Sequence, residues 1–104
     1  MKRRIVVTGL GILSPNAHGL VEYENALRAG RSGIRFIPRM QELGFACHVG
    51  GIPQGVAELK DSYFDEESLM AMNESMVYAA IAAMDAWKDA GLPIASIDGE
   101  PDWD

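Results

Sequence analysis

The chain has 104 residues, enough for one small domain around a single core and too few for two. Its 48% hydrophobic and 23% charged residues are ordinary for a soluble globular protein. A net charge of −6, with the basic residues scattered apart from Lys2-Arg3-Arg4, argues against a nucleic-acid or anionic-membrane surface, because both need clustered Lys and Arg.

Arg4-Ile5-Val6-Val7-Thr8 is β-branched, without polar alternation, and ends at Gly9. Such a run predicts a strand covered on both faces, as in a central parallel sheet. It is too short to be the apolar core of a secretory signal. Gly9 and Gly11 permit a turn or a close backbone approach. Ser14-Pro15-Asn16 marks a loop that leads into a helix. Leu20, Tyr23 and Leu27 fall on one face of that helix, with Glu22, Glu24 and Arg28 facing away. Gly30 stands where a helix-terminating glycine belongs.

Arg31-Ser32-Gly33 predicts a turn, then extended backbone from Ile34 to Ile37 and a break at Pro38. Arg39 to Leu43 has the length of one helical turn ending at Gly44. Phe45 to Ile52 predicts a short strand, with Gly50 and Gly51 as a bulge or an edge.

The strongest predicted element runs from about Asp65 to Ala90. Asp65 is placed to cap it, and Glu66 and Glu67 suit the positive end of the helix dipole. Met72, Met76, Ala79, Ala83 and Trp87 form one stripe, which Leu69, Val77, Ile81 and Met84 broaden. A helix apolar over so wide an arc is buried on most sides. Asn73 marks a break between two helical pieces, and Gly91 with Pro93 stops the second. Its longest mostly apolar stretch, Met76 to Met84, is far too short to span a bilayer. Ile94 to Asp104 is turn-rich and acidic. Two or three strands cannot cover such a helix, so an α/β chain with too little sheet is expected.

No local motif supplies an active site. After Gly9-Leu10-Gly11 a dinucleotide fingerprint needs a third glycine, and Ser14 stands there instead. Close packing is the better reading of those glycines, and no cofactor is expected. Cys47, the only cysteine, cannot form an internal disulfide, which fits a reducing cytoplasm. It falls in a predicted strand beside His48. Neighbouring strand side chains point to opposite faces, so the pair is poorly placed to share a proton. His18 and His48 are isolated and lack metal-ligand spacing. The carboxylates, Asp61, Asp65, Glu66 and Glu67 among them, are read as surface groups.

The segment from Lys2 to Pro15, with Val7-Thr8-Gly9-Leu10-Gly11 at its centre, resembles the opening of β-ketoacyl-acyl-carrier-protein synthases. Leu27-Arg28-Ala29-Gly30-Arg31-Ser32-Gly33-Ile34 is similar to the family's next signature. Met72 to Tyr78, then Asp85 to Leu92 ending in Asp89-Ala90-Gly91-Leu92, resemble the long helix that follows. The blocks occur in family order and spacing.

The resemblance implies a partial thiolase-like α/β fold: the first strand or strands and early helices of the N-terminal half. Residues 1–104 would then be an incomplete N-terminal portion of one domain, with no second domain. It implies a decarboxylating Claisen condensation in fatty-acid or polyketide synthesis, in which a cysteine thiolate takes an acyl chain and a malonyl-derived carbanion attacks it. The implied partners are acyl carrier protein, the remainder of the synthase chain and a second copy of the full-length protein. The family's cysteine and two histidines fall beyond the matched region, so no catalytic residue is carried over and the chain alone is expected to be inactive.

The sequence departs from the family pattern in three places. Ala17 replaces a usual glycine, and Glu24 occupies a commonly apolar position beside Tyr23. Relatives often carry basic residues before Met72 that face the acidic carrier. Here the matching positions are Glu67 and Met70, with Glu66 adjacent and Lys60 the nearest base. A non-catalytic ketosynthase-like partner subunit is therefore the alternative expectation, because acid facing acid repels.

Overall fold

The computed structural model describes residues 2–94. The acidic residues Asp98 to Asp104 lie outside them. Four short strands form two separate antiparallel pairs, joined and flanked by five helices: β1 Leu13–Ser14, β2 Ala17–His18, α1 Leu20–Arg28, β3 Ile34–Phe36, α2 Pro38–Glu42, β4 Val49–Gly51, α3 Val56–Leu59, α4 Glu66–Met70 and α5 Glu74–Asp89.

The β1–β2 hairpin sets Leu13 opposite His18 and Ser14 opposite Ala17, with Pro15 and Asn16 at the turn, where proline's fixed φ suits the first central position. Asn16 Nδ2 donates to the Arg31 carbonyl at 3.1 Å, tying this turn to the end of α1. In the second pair, Ile34, Arg35 and Phe36 lie opposite Gly51, Gly50 and Val49. A Cβ at Gly51 would crowd the Pro15 ring at 2.7 Å, so the glycine lets this second pair lie against the first hairpin.

Helix ends follow their local chemistry. Asp65 Oδ1 accepts the Ser68 N–H at 2.8 Å and caps α4, while Asn73 Oδ1 accepts the Met76 N–H at 2.9 Å and caps α5. The helical stretch expected from Asp65 to Ala90 is two helices, parted at Ala71–Asn73 as the expected break at Asn73 implies. Gly30 and Gly91, at φ 64° and 69°, take the left-handed conformation that turns the chain out of α1 and α5. Gly30 N–H donates to Leu27 and Arg31 N–H to Ala26; Gly91 N–H donates to Lys88 and Leu92 N–H to Trp87. The same pattern at Gly44 and Phe45 closes α2. The helical turn Val56–Leu59 and the 3₁₀ turn Lys60–Ser62 have no counterpart in the sequence reading.

The expectations for the first strand and the face of α1 are corrected. Arg4–Thr8 forms no strand, because no neighbouring strand among the described residues offers it a ladder. Its side chains stand in solvent, Ile5 at 95% and Val7 at 80% exposure. On α1, Leu27 is exposed and Ala26 is the fully buried residue, one position round from the predicted face. Glu24 and Arg28 are exposed as expected, and they pair at 2.7 Å across one helical turn.

Among the described residues the buried apolar core is Ala26, Val77 and Ile81. Val77 and Ile81 sit one turn apart on α5, and their side is the one that packs. The principal predicted stripe of α5 stands open instead: Met76, Ala79, Ala83 and Trp87 are all exposed.

The glycines near the N-terminus explain how α5 holds the preceding segment. A Cβ on Gly9 would overlap the Ala86 carbonyl oxygen and sit 2.7 Å from the Ala90 Cβ. One on Gly11 would overlap the Ala82 carbonyl oxygen. Ala82, Ala86 and the C-cap residue Ala90 follow one row of α5 at four-residue spacing, so bare backbone lies on small side chains. Close packing is what these glycines do.

Candidate functional site

Three polar side chains from distant parts of the sequence meet on α5. Asp85 projects from the helix, His18 comes from the end of β2, and Tyr63 follows the 3₁₀ turn. His18 Nε2 lies 2.8 Å from Asp85 Oδ2, and the Tyr63 hydroxyl donates to Asp85 Oδ1 at 2.7 Å. The Tyr63 hydroxyl is also 3.2 Å from His18 Nε2, with the two rings edge to face at 6.0 Å between centroids. The assignment that satisfies every contact to the carboxylate has His18 Nε2–H and Tyr63 O–H both donating to it. His18 is thus not isolated, and Asp85 is not a plain surface carboxylate.

The site is half-buried: the His18 and Asp85 side chains retain 30% and 23% of their exposure. Burial, then the hydrogen bond and charge of Asp85, push the Tyr63 phenol up to about 12. Leu10, Gly11, Lys88 and Asp89 border the same depression. On its other side Ser62, Met84, Trp87, Lys88 and Ile94 line a mainly apolar groove that shares Tyr63 and Asp85.

Among the described residues this arrangement places no nucleophile next to a free base. His18 Nε2 lies closest to Asp85, the nearby Tyr63 hydroxyl donates to that same carboxylate, and Ser62 Oγ donates to the Leu59 carbonyl at 2.7 Å. Its chemistry is attachment: one carboxylate fastens the hairpin and the Tyr63 turn to the helix. Nothing in the sequence marked it, since His18 and Tyr63 lie 67 and 22 residues from Asp85.

Cys47 and His48 precede β4 rather than lie within it. Cys47 is exposed, and the His48 ring stands edge-on to Phe36 at 6.0 Å. No group of three or more His, Cys, Asp or Glu among the described residues is placed to hold a metal ion.

Lys60 lies in the 3₁₀ turn, Glu67 in the first turn of α4 and Met70 at its end. Lys60 and Met70 border one groove with Asp61, Phe64, Glu66 and Leu69, while Glu67 stands outside it. Met70 is 85% exposed. The hydrogen bonds from Ser68 hold the nearby Asp65 carboxyl below its usual range. This groove mixes the charged side chains Lys60, Asp61 and Glu66 with the apolar Phe64, Leu69 and Met70.

Residues 2–101 match the family model described as the N-terminal domain of β-ketoacyl synthase. The 3-oxoacyl-acyl-carrier-protein synthase 2 of Coxiella burnetii is 33% identical over 97 residues, 89% of this chain and 22% of that protein. The 3-oxoacyl-acyl-carrier-protein synthase 1 of Escherichia coli K12 is 32% identical over 99 residues, 95% of this chain and 24% of that protein. The ketoacyl synthase beta subunit of the tetracenomycin polyketide synthase of Streptomyces glaucescens is 39% identical over 88 residues, 85% of this chain and 21% of that protein. The chain spans about a fifth to a quarter of the length of these relatives.

Proposed function

This chain belongs to the β-ketoacyl synthase family through that N-terminal domain, and from this premise we propose that it forms the N-terminal portion of a 3-oxoacyl-acyl-carrier-protein synthase. The whole enzyme condenses an enzyme-bound acyl thioester with a malonyl-carrier thioester, losing carbon dioxide. A thiolate lowered by a helix N-terminus and an oxyanion site of backbone N–H groups do that chemistry, and the rest of the synthase supplies them. The match over residues 2–101 carries this reading.

The contribution of residues 2–94 is structural. Arg4–Thr8 and the open stripe of α5 present apolar surface that a thiolase-like fold would bury under further sheet. Full-length protein would act as a homodimer in the cytoplasm. No helix among the described residues is long and apolar enough to cross a membrane.

A second reading is favoured by one surface. Glu66 and Glu67 are exposed beside Met70, where an acidic carrier would meet repulsion. A non-catalytic ketosynthase-like partner subunit has no need to dock the carrier.

A chimera separates the two readings. Residues 2–92 replace the matching segment of the Escherichia coli synthase 1, and carbon dioxide release from malonyl-carrier is followed. Condensation by the folded chimera supports the enzyme reading. A folded dimeric chimera that neither binds carrier nor condenses supports the partner reading. Condensation by the 104-residue chain alone contradicts both.

A further inference from the structure

We propose that Asp85 is a shared latch: its single carboxylate makes the seating of the His18 hairpin and of the Tyr63 turn on α5 mutually dependent. The two oxygens are divided, Oδ2 to His18 at 2.8 Å and Oδ1 to Tyr63 at 2.7 Å. One torsion turns both oxygens, so either donor fixes the carboxylate plane for the other. His18 and Tyr63 also meet directly, at 3.2 Å and edge to face, so neither ring settles independently.

The Tyr63 phenol stays protonated through the neutral range, raised by burial and by Asp85, and so remains a donor. Among the described residues, the other charged side chains bordering this depression are Lys88 and Asp89, both on α5. Asp89 Oδ2 is already engaged by the Leu10 N–H at 3.0 Å, leaving Asp85 to hold the hairpin end. The Tyr63 turn carries Lys60 and leads into α4, so the latch also sets how the Lys60–Met70 surface lies on α5. That consequence holds whatever partner meets the surface.

Amide hydrogen exchange within residues 2–92 of the chimera described above tests this. Tyr63→Phe removes one hydroxyl and leaves the ring. It is expected to speed exchange roughly two- to tenfold in its own turn and also at Gly19, whose N–H donates to Ile12 across the hairpin base. His18→Leu is expected to speed exchange at Tyr63 and Phe64, whose N–H groups donate to the Lys60 carbonyl. In an Asp85→Asn background either second change should add little at the other's segment. The Ile81 amide, in the middle of α5, serves as the fold control. Should Asp85→Asn lose protection there, the reciprocal effects of the other two variants decide alone. Each variant loosening only its own segment, or neither loosening anything, overturns the latch.

Discussion

The Leu10 backbone N–H donates to Asp89 Oδ2 at 3.0 Å, joining residues 79 positions apart. Around that bond Gly9 rests on Ala86 and Ala90, and Gly11 on Ala82 and Ala86. Gly9-Leu10-Gly11 and Asp89-Ala90-Gly91-Leu92, two of the blocks that carry the family resemblance, are therefore the two halves of one packing contact. Their residue types follow from it: no Cβ where backbone meets helix, alanine beneath, and an acceptor for the freed N–H.

Gly9→Ala and Gly11→Ala should each destabilise the protein, because the added methyl meets helix backbone rather than a flexible side chain. Overpacking of this kind costs about 1–3 kcal/mol. Thermal denaturation of the chimera described above measures it, with Gly→Ala at both positions expected to lower the midpoint and an unchanged midpoint counting against the packing account.

The caps of α4 and α5 should part company in acid. Asp65 has its folded pKa lowered by the Ser68 hydrogen bonds, so its stabilisation is present above the ordinary carboxylate pKa and is lost as pH falls through the lowered one. Asn73 caps α5 without titrating. Acid should therefore fray α4 at Ser68 while the Met76 amide keeps its protection, as read by amide exchange. Asn73→Ala should do the reverse at neutral pH, at a cost of about 1 kcal/mol.

Alkali should act on Tyr63. Its folded pKa of about 12 exceeds the usual 10.0, so the neutral phenol contributes stability that is whole below 10.0 and is lost as pH rises through about 12. In the folded chimera, phenolate absorbance should include a phase near the upper value that Tyr63→Phe abolishes. Survival of the phase in the variant would assign it elsewhere.

Features set by neighbours in sequence were legible before the structure. Gly30, Gly44 and Gly91 end helices, Asp65 caps one, and Asn73 divides the predicted long helix, because each depends on backbone within a turn. Features set by distant partners were not. His18, Tyr63 and Asp85 are unremarkable where they stand, and only folding brings them within hydrogen-bond reach. Ile5-Val6-Val7 shows the converse: with no neighbouring strand among the described residues, strand-forming residues stay exposed. The expectation that Lys60, Glu67 and Met70 face a carrier rested on resemblance alone, and the structure locates them without assigning them a partner.

We propose that this chain is part of a larger α/β enzyme: among the described residues Ala26, Val77 and Ile81 are the buried apolar ones and a stripe on α5 stands open. Sedimentation velocity with scanning calorimetry of the chain by itself tests that most directly. Aggregation, or a loosely packed species without a sharp transition, is the predicted result. A monodisperse monomer with a sharp cooperative melt would contradict it.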